Sequence, residues 1–267
     1  MSRRRSRFWL WHLPGAIAVL AALLFAAGFV LALRGSLGEP IGGPPVPVAS
    51  KEISVKPPGR RFLLVLGDSL ARGTGDETGK GYASDLLESI RKTGAADMAN
   101  LAVNGAESSD VARTLESENV GRLAAAADWI LLSVGANDLS HAVPREAEVT
   151  ASPLETITGA RTRYASNLRR ILSRLREFNP NAPIYILGLY DPFTEEGSRT
   201  RIASSIILSW NGLIGETALS FPRVFVVPTF DLFYERPDRL GADHFHPNGK
   251  GHQAIAQRIA QLLPAGK

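Results

Sequence analysis

Five short apolar runs punctuate the chain, none longer than six residues, with helix-length stretches between them: 62–66, 98–103, 129–134, 184–189 and 224–228. This alternation constrains the fold more than any other feature. A short apolar run bounded by turn residues reads as a buried strand. The intervening helix candidates are 82–93, 107–126 with a break, 155–178, 199–219 and 249–263. In 155–178 the apolar residues Tyr164, Leu168, Ile171, Leu172 and Leu175 fall on a 3.6-residue stripe. Arg161, Arg163, Arg169, Arg170, Arg174 and Arg176 are then its solvated face. Strands alternating with helices predict a mostly parallel sheet covered by helices on both sides. In such a sheet the carboxyl ends of all strands lie at one edge, so residues far apart in sequence meet there.

Each strand of interest runs into a polar, glycine-containing cluster. These are Gly67-Asp68-Ser69, then Asn104-Gly105-Ala106, then Gly135-Ala136-Asn137-Asp138. Beyond the fifth strand comes Asp243-His244-Phe245-His246-Pro247-Asn248. Taken singly, each has an ordinary explanation in turn chemistry or as a surface pair. Taken together, they supply the parts of an acyl transfer: a nucleophile, a base, a group that holds the base, and donors for an oxyanion. Ser69 is the candidate nucleophile. His12 precedes the apolar N-terminal segment, which leaves His141, His244, His246 and His252 as bases. His246 is preferred because Asp243, three residues earlier, is close enough to bond its other ring nitrogen. The Ser69 N–H, the Gly105 N–H and the Asn137 amide make a three-donor oxyanion hole. A neutral His246 is required, so kcat/KM should fall on acidification.

Other chemistries fail on inspection. A nucleophile elbow needs glycine where Ala71 stands. A phosphate-binding loop around Gly79-Lys80 fails at Thr74 and Gly81. Asp243, His244, His246 and His252 are metal-ligand types close in sequence, but a metal would compete with His246 as base, and no metal or cofactor is expected. His252, which opens the last helix, reads as structural. The glycines at 73, 75, 79 and 81 read as a mobile loop flanking the nucleophile, and 140–154 as a substrate-side loop.

On these residues the chain resembles the GDSL, or SGNH, hydrolase family of serine esterases and lipases. Gly67-Asp68-Ser69-Leu70 matches the first block, Gly105 the glycine of the second, and Gly135-Ala136-Asn137-Asp138 the third. Asp243, His246 and Pro247 match the last. Four blocks in the right order, across roughly 60–263, make a specific signal. The second block departs from the usual Ser-Gly-Asp in reading Asn-Gly-Ala. The stretch 70–82 further resembles the YpmR-like bacterial branch, whose members are membrane-anchored or secreted. The resemblance implies a three-layer α/β/α sandwich with a flavodoxin-like sheet of five parallel strands. It also implies Ser69 as nucleophile, His246 as base, Asp243 as its orienter, and Ser69, Gly105 and Asn137 as oxyanion donors, with no cofactor.

The N-terminal quarter is organised differently. Residues 1–12 are basic, and 13–33 carry no charged side chain. As a helix 13–33 would span about 30 Å, enough for the hydrocarbon core of a bilayer. Trp9 and Trp11 sit where interfacial aromatics belong, and the preceding arginines put the N-terminus in the cytoplasm and the rest outside. A cleaved signal peptide is the competing reading; the length of the apolar run and the poor small-x-small site favour an anchor. Residues 34–60 are a Gly/Pro-rich linker, and 61–267 form the hydrolase domain. The net charge of +4 rests on Arg3, Arg4, Arg5 and Arg7. The remainder is near neutral, and no nucleic-acid partner is expected. There is no cysteine, hence no disulfide.

The sequence thus predicts a membrane-anchored, extracytoplasmic serine esterase or lipase acting on acyl lipids or lysophospholipids. The alternatives are an O-acetylesterase of cell-wall carbohydrate and a catalytically idle binding module. Oligomeric state is not legible.

Overall fold

A computed structural model describes residues 56, 59–142, 153–193 and 198–263. The expected anchor at 13–33, almost all of the linker, and 143–152 of the expected substrate-side loop lie outside the described residues. Among the described residues no helix is long and apolar enough to cross a membrane. The unit that carries the sheet runs Ser54–Lys267.

The strands are β1 (Arg61–Gly67), β2 (Ala96–Asn100), β3 (Trp129–Ser133), β4 (Ile184–Leu187) and β5 (Val224–Val227). All pair in parallel, in the order β2-β1-β3-β4-β5, the doubly wound order of a flavodoxin-like sheet. The helices are α1 (Ser69–Arg72), α2 (Gly81–Arg91), α3 (Ser108–Thr114), α4 (Glu118–Ala126), α5 (Ala136–Ala142), α6 (Pro153–Phe178), α7 (Ser198–Ala218), α8 (Phe230–Phe233) and α9 (Gly249–Leu262).

Side chains alternate across the pleat, and in the central strands β1, β3 and β4 both faces are buried. Leu64, Leu66, Ile130, Leu132 and Ile186 face a core built with Tyr164, Leu168 and Leu175 of α6 and Trp210 and Ile214 of α7. Leu63, Val65, Leu131, Tyr185 and Leu187 face the other way, onto Tyr82 and Leu86 of α2 and Ile255 and Ile259 of α9. This double burial is why the strands read as unbroken apolar runs. It produces the three-layer α/β/α architecture.

Boundaries differ where a side chain competes with the ladder. β2 ends at Asn100 rather than 103. The Asn100 amide donates to Ala71 O at 2.8 Å, and its Oδ1 accepts from Ala102 N at 3.0 Å, which turns the strand out of register. The chain still reaches β1 through Leu101 N to Val65 O and Val103 N to Gly67 O, both 2.9 Å. That second bond carries the Asn104-Gly105 loop to the carboxyl edge.

Candidate active site

Ser69 stands where β1 stops, and three neighbours fix it there. Gly67 has φ +139°, and a Cβ at that position would lie 2.0 Å from Ser133 O, so only glycine fits. Asp68 N-caps α1, its Oδ1 accepting from Leu70 N at 3.1 Å. The same carboxylate oxygen accepts from Ser133 Oγ at 2.9 Å. Burial raises the Asp68 pKa to about 6, against the pull of those hydrogen bonds.

His246 reaches Ser69 from a loop 177 residues away in sequence, with Nε2 2.9 Å from Ser69 Oγ. Its Nδ1 lies 2.6 Å from Asp243 Oδ2. A carboxylate only accepts, so Nδ1 carries the proton and Nε2 is left to accept from the serine hydroxyl. Asp243 Oδ1 also accepts from the backbone N–H groups of Phe245 (3.0 Å) and His246 (2.9 Å). Partial burial pushes the Asp243 pKa up, but the hydrogen bonds from His246 and the two amides outweigh it and hold the carboxyl below its usual range. His244 bends the loop in the left-handed region, φ +54°. The loop is pinned by Gly241 N to His246 O (2.7 Å) and by Tyr190 Oη donating to Phe245 O (2.8 Å).

The glycine-rich segment beside the nucleophile is packed rather than loose. A Cβ on Gly75 would meet His246 Cβ at 2.7 Å and Pro247 O at 2.4 Å, and one on Gly81 would meet Gly73 Cα at 2.4 Å. Gly73, Gly75 and Gly81 therefore answer to close approach, whereas Gly79 has open space around it and a backbone at φ +68°. His252 holds this segment to α9: its Nε2–H donates to Thr74 O at 3.0 Å, and its Nδ1 accepts from Tyr82 N at 3.2 Å. That pairing requires a neutral ring, and burial lowers its pKa accordingly. Among the described residues no group of three or more acidic or histidine side chains is arranged as a metal site.

The three groups expected as oxyanion donors lie on the segments that follow β1, β2 and β3. The N–H groups of Ser69 and Gly105 have no partner among the described residues, and Gly105 is exposed at φ +77°. The Asn137 amide donates one N–H to Ala106 O at 2.9 Å, leaving the other free to point at a ligand. Behind Asn137, Asp138 of the same block binds Ser108, a residue outside every sequence block.

Ser69 opens into a cavity of about 410 Å³. Its walls are apolar: Leu139 of α5, Leu189 and Phe193 after β4, Ile206 and Ile207 of α7, and Phe245 beside the base. The β4 side is held by Asn211, which exchanges two hydrogen bonds with the backbone of Leu189 (2.7 and 2.8 Å). A smaller recess of about 230 Å³ lies on the Asn104-Gly105-Ala106 side. All five sequence-predicted site residues therefore gather at the carboxyl edge, with Gly105 lining the recess rather than the main cavity. The cavity and Ser108 were not anticipated. The apolar wall of α7 was hidden in an ordinary helical pattern, because a stripe facing a cavity reads like one facing a core.

A flavodoxin-like sheet with these four blocks at its carboxyl edge defines a carboxylic ester hydrolase. The profile of the GDSL-like Lipase/Acylhydrolase family matches residues 65–254, and the chain belongs to that family. It is 30% identical over 208 residues to YpmR of Bacillus subtilis (strain 168), spanning 75% of this chain and 80% of that protein. Among solved structures, the lipase Lip_vut3 from a goat rumen metagenome superposes with TM-score 0.65 at 20% identity, covering 75% of this chain and 96% of its own. Axe2, an acetylxylan esterase of Geobacillus stearothermophilus, superposes with TM-score 0.55 at 19% identity, covering 78% and 94%. At those identities the two structures speak for the fold.

Proposed function

We propose that the protein is a serine esterase or lipase that hydrolyses acyl lipids or lysophospholipids through Ser69, His246 and Asp243. The observation that carries this reading is Ser69 Oγ, 2.9 Å from His246 Nε2, at the mouth of an apolar cavity of about 410 Å³. Ser69 Oγ attacks the ester carbonyl as its proton passes to His246 Nε2. The imidazolium is stabilised by Asp243, and the carbonyl oxygen, now an oxyanion, faces the N–H groups of Ser69 and Gly105 and the Asn137 amide. Collapse expels the alcohol, which takes the proton from His246. Water, deprotonated by the same nitrogen, then releases the acid and restores Ser69. No metal or cofactor enters these steps.

The cavity favours an acyl chain over acetate, since an acetyl group would leave most of its apolar wall uncovered. A preference for medium to long p-nitrophenyl esters over acetate, measured with the full chain in detergent, is the expected result. A preference for acetate would move the assignment to a carbohydrate O-acetyl ester. Turnover of neither class would leave an idle binding module.

The 13–33 segment supports a single-pass anchor in the cell membrane, with a cytoplasmic N-terminus and an extracytoplasmic hydrolase domain. Retention in the membrane pellet after alkaline carbonate, with the domain open to protease added to spheroplasts, is the expected behaviour. Release of a shortened chain into the medium would replace the anchor with a signal peptide.

A further inference from the structure

Ser108 is fully buried at the start of α3, three residues after Gly105. Its N–H donates to Asp138 Oδ2 at 2.9 Å and its hydroxyl donates to Asp138 Oδ1 at 2.5 Å. Its Oγ accepts from Asn167 Nδ2 of α6 at 3.0 Å. The direction of every bond is set by chemistry, because the carboxylate only accepts and the amide nitrogen only donates. Asp138 adjoins Asn137, whose amide in turn donates to Ala106 O at 2.9 Å. Two loops that leave different strands are thus latched at Ser108, and the latch is braced from a third element.

Gly105 itself needs such a brace. It is exposed and has no side chain to anchor it, and its loop is closed by the single turn bond from Ala106 N to Val103 O at 3.1 Å. Oxyanion donors act only within about 2.7–3.1 Å of the developing charge, and a misplacement of about 1 Å can cost roughly 100-fold in rate. We propose that Ser108, gripped by Asp138 and Asn167, is a positioning residue that sets the spacing between the Gly105 N–H and the Asn137 amide. The inference rests on reading Ser69 as the nucleophile and those two groups as oxyanion donors.

The test compares full-length wild type, Ser108→Ala and Asn167→Ala in detergent, with folding checked by circular dichroism. Three quantities are measured: kcat and KM on a p-nitrophenyl ester, inhibition by an alkyl trifluoromethyl ketone, and inhibition by the matching ether. The ketone adds to the serine and presents an oxyanion; the ether occupies the cavity without one. Ser108→Ala is expected to lower kcat by roughly 10- to 100-fold and to weaken the ketone by a similar factor. KM and ether affinity should stay within about twofold of wild type. Asn167→Ala, which removes only the outer hydrogen bond, should give the same pattern at smaller size, and it decides the matter if Ser108→Ala does not fold. Unchanged kcat in the folded variants, or equal weakening of ketone and ether, overturns the proposal. Ser69→Ala run alongside separates the two failures: if it keeps turnover, the underlying mechanism is at fault rather than the latch.

Discussion

Asp68 and Ser133 are joined twice across β1 and β3: Ser133 Oγ donates to Asp68 Oδ1 at 2.9 Å, and Asp68 N donates to Ser133 O at 3.0 Å. The pair locks the residue before the nucleophile to the central strand. It does so by burying a carboxylate whose pKa rises to about 6 from an ordinary 3.8. A raised carboxyl pKa means that its favourable contribution is complete below about pH 4 and is lost as pH rises through 6. Asp68→Asn keeps the Oδ1 acceptor without the charge. The stability of the variant relative to wild type should therefore rise from pH 4 to pH 8. Urea denaturation of both proteins across that range measures it; a gain that grows on acidification would contradict it.

Asp243 is held below the usual carboxyl range, so it is ionised throughout the neutral region, as the proposed role of orienting His246 requires. Asp243→Asn preserves the shape but can bind the wrong tautomer of the ring. We expect kcat to fall by roughly 1,000- to 10,000-fold with little change in melting temperature. Steady-state kinetics beside a thermal melt would show it, and a loss below tenfold would remove Asp243 from its assigned role.

The backbone at Gly67 leaves no room for a side chain, with Ser133 O 2.0 Å from any Cβ and φ at +139°. Gly67→Ala should cost about 3 kcal/mol or more, because the clash is with backbone that cannot swing away. A chemical-denaturation midpoint close to that of wild type would show that β1 and β3 adjust more easily than this geometry allows.

On the proposed function, the cavity wall of α7 would set a chain-length dependence. Each methylene buried there should contribute about 0.8 kcal/mol, roughly fourfold in kcat/KM per added CH₂ until the space is filled. Ile206→Trp should shorten the preferred chain without lowering activity on the acetate ester. Identical chain-length profiles for the two proteins would place the acyl chain elsewhere.

The fold was legible because sheet burial on both faces leaves unbroken apolar runs, and Phe62 to Leu66 is such a run. The site was legible because Ser69, Gly105, Asn137, Asp243 and His246 each follow an element that ends in a recognisable turn. What escaped had no local signature. α5 mixes the modest helix formers Asn137, Asp138, Ser140 and His141 with Ala136, Leu139 and Ala142, and at seven residues it is too short to show a helical stripe. The early end of β2 depends on Asn100 finding Ala71 O, a partner 29 residues back. Ser108 and Asn167 are ordinary polar residues on helices until the fold brings them together.

The most direct test of the account is the site of covalent capture. The full-length protein, its Ser69→Ala variant and its His246→Ala variant would each be treated with an alkyl fluorophosphonate, and the adduct counted and located by intact and peptide mass spectrometry. The account predicts one adduct per chain, on Ser69, absent from Ser69→Ala and formed at least a hundredfold more slowly in His246→Ala. An adduct on another residue, or capture that survives Ser69→Ala, would contradict the assignment of the nucleophile and with it the mechanism.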